Sequence, residues 1–109
     1  MFSKMLYRMG IRVCEEVDNG EDALRKAMLC KPDLLVVDIH LPKMDGRAVM
    51  RKLRGKLPET KFLAVSSDKE RHTIIETFKS GANDYIIKPV KWETLKQRIM
   101  KLFEVQDAS

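Results

Sequence analysis

The 109-residue sequence predicts a layered α/β fold built on a parallel sheet. Three observations carry that expectation. Short apolar runs alternate with segments of helical periodicity along the whole chain. Two of the runs, Leu34–Val37 and Phe62–Val65, are apolar at every position, as in strands buried on both faces of a parallel sheet. No linker-like, low-complexity or repeated segment interrupts the pattern, so one domain over residues 1–109 is expected.

Each element has its own signature. Phe2, Met5, Leu6 and Met9 recur at helical spacing, and Gly10 follows where a helix would close. Ile11–Val17 reads as a partly exposed strand, because Arg12, Glu15 and Glu16 interrupt it. Asp18-Asn19-Gly20 is a turn, with Asn19 capping a helix that carries Ala23, Leu24, Ala27 and Met28 on one side. Lys31-Pro32 stops it. After strand Leu34–Val37, a loop from Ile39 to Asp45 leads through Gly46 into a helix ending near Arg54-Gly55.

The second half repeats the alternation. Strand Phe62–Val65 is followed by Ser67-x-x-Glu70, which has capping-box spacing, and by a helix with Ile74, Ile75 and Phe78 inward and Gly81 at its close. Tyr85-Ile86-Ile87 is a further strand. Trp92, Leu95, Ile99 and Leu102 form the apolar stripe of the last helix.

Composition narrows the function classes. The chain is 44% hydrophobic and 34% charged, the balance of a globular protein, and no apolar run reaches the roughly eighteen residues of a membrane span. Lys4 and Arg8 break the first residues, so a signal peptide is not expected and the protein is placed in the cytoplasm. The net charge of +5 is divided evenly: eleven bases and eight acids to residue 54, ten and eight after it. With few aromatics between the charges, direct nucleic-acid binding is not expected. Cys14 and Cys30 read as reduced thiols, and His40 and His72 are too isolated for side-chain metal ligation.

Ligands of an open parallel sheet collect at the carboxyl ends of its strands. Those ends carry Asp38, Ser66 and Lys88. A carboxylate, a hydroxyl and an ammonium at one edge suit phosphoryl transfer, with the carboxylate as nucleophile and the other two holding phosphoryl oxygens. Each alone is an ordinary strand-end residue; three at consecutive ends are harder to dismiss. A phosphatase of the haloacid-dehalogenase kind needs a second Asp two residues after the first, and His40 occupies that place.

The segments Leu34-Leu35-Val36-Val37-Asp38-Ile39-His40-Leu41-Pro42-Lys43-Met44-Asp45-Gly46, Ala64-Val65-Ser66-Ser67 and Gly81-Ala82-Asn83-Asp84-Tyr85-Ile86-Ile87-Lys88-Pro89 resemble the receiver domains of two-component response regulators. Asn19-Gly20-Glu21-Asp22-Ala23-Leu24 resembles the segment opening that family's second helix. The resemblance implies a flavodoxin-like fold, with four strands and five helices recognisable here. Asp38 matches the phospho-acceptor served by a histidine kinase or phosphotransfer protein. Lys88 matches the lysine that contacts the phosphoryl group, and Pro89 the proline after it, usually joined by a cis bond. Ser66 and Tyr85 match the switch pair, although Tyr85 reads equally well as core. The readout face would be the last two helices and the strand between them, offered to a downstream protein or output domain. Gly46 and Pro42 are read as loop geometry. The chain is thus expected to be no enzyme beyond accepting a phosphoryl group on itself.

The resemblance also implies what is not found. Receivers begin with a central strand and an acidic pair that holds Mg²⁺ with the acceptor aspartate, and Met1–Gly10 resembles only the second half of their first helix. Asp38 and the backbone carbonyl of His40 would then be the remaining ligands, and Mg²⁺ binding is expected to be weak. Three outcomes stay open: a piece of a longer domain, a homodimer, or direct pairing of Ile11–Val17 with Leu34–Val37. The alternative function is a degenerate receiver that binds proteins without being phosphorylated.

Overall fold

The computed structural model describes residue 25, residues 28–40 and residues 45–103. The apolar stripe from Phe2 to Met9, the strand Ile11–Val17 with its proposed pairing, the Asn19 cap, and Pro42 lie outside the described residues. Six elements follow one another: strand β1 (Leu34–Asp38), helix α1 (Gly46–Arg54), strand β2 (Lys61–Ser66), helix α2 (Arg71–Lys79), strand β3 (Asp84–Ile87) and helix α3 (Trp92–Leu102). The strands are parallel in the order β1-β2-β3, with Asp38 level with Val65 and Ser66 level with Ile87. The sequence expectation of a parallel α/β sheet holds, each strand extending one or two residues beyond its apolar run.

Alternate side chains of each strand go to opposite faces of a sheet, and here both faces are apolar. Leu35, Val37, Phe62, Ala64 and Tyr85 pack with Val49, Met50 and Leu53 of α1 on one side. Leu34, Leu63, Val65 and Ile86 pack with Leu95 and Ile99 of α3 on the other. This two-sided burial is why Leu34–Val37 and Phe62–Val65 carry no polar residue.

The helix ends follow local chemistry. Asp45 caps α1 by accepting the backbone N–H of Arg47 at 2.8 Å. At the end of α2, Gly81 adopts φ 118° and donates to Phe78, while Ala82 donates to Thr77, a closure that needs a residue at ease in the left-handed region. The Lys88–Pro89 peptide bond is cis.

Four sequence expectations are corrected. Ile75 and Phe78 do not face inward; they are 41% and 43% exposed, and Thr73 and Thr77 occupy the buried face with Ile74 at its margin. Thr77 is tolerated there because its hydroxyl donates to the Thr73 carbonyl at 2.7 Å. Ser67 and Glu70 form no capping box. Glu70 is itself the cap residue and makes no side-chain bond, because Asp68 instead accepts the Glu70 N–H and the Thr73 hydroxyl. Gly46 is not a loop residue but the first residue of α1, packed against the end of β1. Met28 is 39% exposed, and Cys30 takes the inward place beside the core.

Candidate functional site

The carboxyl edge of the sheet brings the predicted residues together by backbone register alone. Past the strand ends the ladder continues, with Ile39 N–H donating to Val65 and Lys88 N–H donating to Ser66 at 2.8 Å. Asp38, Ser66 and Lys88 are therefore neighbours on three adjacent chains. The Lys88 ammonium reaches back and donates to Asp38 Oδ2 at 2.5 Å. Asp38 Oδ1 accepts the His40 backbone N–H at 2.9 Å.

Two opposed influences act on the Asp38 carboxyl. Partial burial pushes its pKa up, but the Lys88 hydrogen bond, the His40 N–H and the nearby positive charges outweigh it and hold the group below its ordinary range. Asp38 is thus an anion at neutral pH, facing a cation that a phosphoryl group could recruit.

Ser66 is buried, 1% exposed, and its Oγ accepts the Asp68 N–H at 3.0 Å. That bond leaves the hydroxyl proton for another acceptor. Tyr85 is also buried; its hydroxyl donates to the Asp68 carbonyl at 2.8 Å rather than to Ser66. Asp68 is the residue sequence reasoning missed. It joins Ser66, Tyr85, Glu70 and Thr73 through backbone and side chain together, and the Glu70 and Thr73 bonds hold its carboxyl below the ordinary value. The signal was an Asp placed to accept the N–H two residues on, a common turn device.

Asp45 and Arg47 form a second pair, with Arg47 Nη2 donating to Asp45 Oδ2 at 2.8 Å. That hydrogen bond holds Asp45 low despite partial burial. The pair anchors the first turn of α1, which the close approach of Gly46 brings against the Asp38 main chain.

Receiver domains normally bind Mg²⁺ at this edge. Among the described residues, no group of three or more His, Cys, Asp or Glu side chains converges. They supply one carboxylate, Asp38, and both its oxygens already accept protein hydrogen bonds. Mg²⁺ takes octahedral oxygen ligands and gives up its water reluctantly, so the described residues do not by themselves fit it.

A parallel sheet between helices, with a Lys-paired Asp at its carboxyl edge, defines the class: an α/β module whose ligand site is built from strand ends. The sequence profile of the response regulator receiver domain matches residues 1–100, and the chain belongs to that family. It is 35% identical over 92 residues to the probable C4-dicarboxylate response regulator DctR of Bacillus subtilis, covering 84% of this chain and 41% of that protein. It therefore spans less than half of that relative. It is 28% identical over 101 residues to the chemotaxis protein CheY of Listeria monocytogenes, covering 93% of this chain and 85% of that one. Among solved structures, a two-component response regulator from Clostridium difficile superposes with a TM-score of 0.82 at 25% identity, covering 98% of this chain and 87% of that one. The chain is a response regulator receiver domain of two-component signalling. No helix among the described residues is long and apolar enough to cross a membrane.

Proposed function

We propose that Asp38 accepts a phosphoryl group from a phosphohistidine of a kinase or phosphotransfer protein in the cytoplasm, and that the modification switches a protein-binding surface. The observation that carries this reading is the Lys88–Asp38 ion pair at the carboxyl edge of the sheet. A carboxylate kept ionised is a nucleophile, and the ammonium beside it stands where charge accumulates in transfer.

In the step itself an Asp38 oxygen forms a P–O bond as the P–N bond of the donor breaks, and the bonding pair leaves on the imidazole nitrogen, which takes up a proton. Lys88 moves from the carboxylate to a phosphoryl oxygen. The Ser66 hydroxyl, turning from its buried position, donates to another. Because Ser66 and Tyr85 both hold Asp68, movement of Ser66 disturbs the bonds that position the start of α2. The change would thereby reach the face formed by α2, β3 and α3, where a downstream protein or output domain is read. No activity beyond self-modification is proposed.

The test is incubation of the chain with acetyl phosphate, with and without Mg²⁺, followed by intact mass measurement. Addition of one phosphoryl mass that disappears in Asp38→Asn supports the reading. No addition under either condition favours the alternative, a receiver that binds proteins without phosphorylation.

A further inference from the structure

Helix α2 exposes Ile75 and Phe78, and β3 exposes Ile87, each about 40% accessible. The direction of the pair follows from its neighbours. On α2, Ser80 accepts from Arg51 of α1, and Glu76 lies within electrostatic reach of Arg47, so that flank faces α1. At about 100° per residue, Ile75 and Phe78 lie on the opposite flank, towards the end of the described sheet formed by β3.

Helix α3 lies on the other side of that edge. Arg98 donates to Asp84 of β3 at 2.8 Å, which turns its flank to the same edge. Lys91 and Lys101, seven residues before and three after it, share that flank and are exposed. Residues 71–103 hold seven Lys or Arg and three Asp or Glu, although the chain as a whole carries only +5. Of those three acids, Glu76 and Asp84 already pair with Lys79 and Arg98.

We propose that Ile75, Phe78 and Ile87, flanked by Lys91, Arg98 and Lys101, dock an acidic amphipathic segment of a partner protein. Its apolar residues cover the trio, and its carboxylates meet Lys91 and Lys101. Charge complementarity selects this occupant. A second copy of the chain would bring two cation-rich faces together across a two-fold axis. A nucleic acid would satisfy the cations but leave three apolar side chains against phosphate and sugar. The inference deepens the switched-surface reading above and depends on it for the switching alone.

The test is selection from a displayed random-peptide library on the full chain, with binding of the enriched peptides measured by fluorescence anisotropy and mapped by amide chemical shifts. The expected peptides carry Asp or Glu beside apolar residues at helical spacing and perturb Ile75, Phe78, Ile87, Lys91 and Lys101. Lys91→Glu with Lys101→Glu should weaken them roughly tenfold or more, and raised salt should weaken them too. Phe78→Ser should abolish binding, while the charge-matched control Lys52→Glu with Lys56→Glu on the α1 side leaves it intact. All replaced side chains are exposed, and thermal unfolding confirms that each variant folds. No enrichment, peptides without acids, a footprint elsewhere, equal loss in the control, tighter binding of a DNA duplex, or self-association through this face would each overturn the proposal. Peptide binding that beryllofluoride leaves unchanged counts against the switch and not the surface. Phosphorylation of Asp38 without acidic-peptide binding counts against the surface and not the site.

Discussion

Lys88 Nζ sits 2.5 Å from Asp38 Oδ2, across fifty positions of sequence and two strand crossings. The contact is made by register: β2 carries β1 and β3 on its two edges, and the ends of both arrive at the same level. Lys88→Met removes a hydrogen bond and a charge that lower the Asp38 pKa, leaving burial to push it up. The titration midpoint of the Asp38 carboxyl carbon, followed by NMR, should rise in Lys88→Met and stay low in Lys88→Arg. An unchanged midpoint in Lys88→Met would separate the two residues in solution.

Asp45 gives a pH dependence of stability. Its carboxyl is held below the ordinary 3.8 chiefly by the Arg47 side-chain hydrogen bond. A depressed folded-state value means that its contribution is present above the unfolded-state pKa and is lost as pH falls through the folded-state value. Asp45→Ala should cost about 1 kcal/mol at neutral pH, as loss of a helix cap does. The difference between variant and parent should shrink as denaturation is measured from pH 5 downward.

Gly46 has no room for a side chain. A Cβ there would meet the Asp38 carbonyl oxygen, and would stand 2.8 Å from Val37 Cγ1 and 3.0 Å from Ile39 Cα. Gly46→Ala should therefore destabilise by about 1–3 kcal/mol, against the small gain that alanine normally brings to a helix. Urea unfolding measures it, and a stabilised variant would contradict the packing.

Arg54 ties the opposite edge of the fold together. Its guanidinium lies 3.8 Å from the centre of the Phe62 ring and donates to the carbonyls of Leu57, Thr60 and Gly81. Burial lowers its pKa. Arg54→Leu should lose about 2–3 kcal/mol, the value of a few hydrogen bonds from a charged donor, or a fall in Tm on the order of 10 °C for a domain this size. A double-mutant cycle with Phe62→Leu should show non-additivity.

Much of this was legible in the residues. Leu34–Val37 and Phe62–Val65 announce their strands because burial on both faces leaves no place for a polar residue, and the strand-end rule then points to Asp38, Ser66 and Lys88. Helix α2 was misread at Ile75 and Phe78 because hydrophobicity was taken for burial. Thr73 and Thr77 are buried instead, and the Thr77 hydroxyl satisfies itself within the helix, which no periodicity of apolar residues reveals. Asp68 escaped notice since its role depends on Tyr85, seventeen positions away, and only the folded chain brings them together. Gly46 looked like a turn because sequence records a missing side chain but not the backbone pressed against it.

The account stands on Asp38 as the group that takes the phosphoryl. Reductive trapping with borohydride after exposure to a phosphodonor, followed by peptide mapping, reads the modified position directly. The prediction is conversion at position 38 alone, dependent on the donor and abolished by Asp38→Asn. Trapping at any other carboxylate, or none at all in a chain that unfolds cooperatively and is therefore folded, would contradict it.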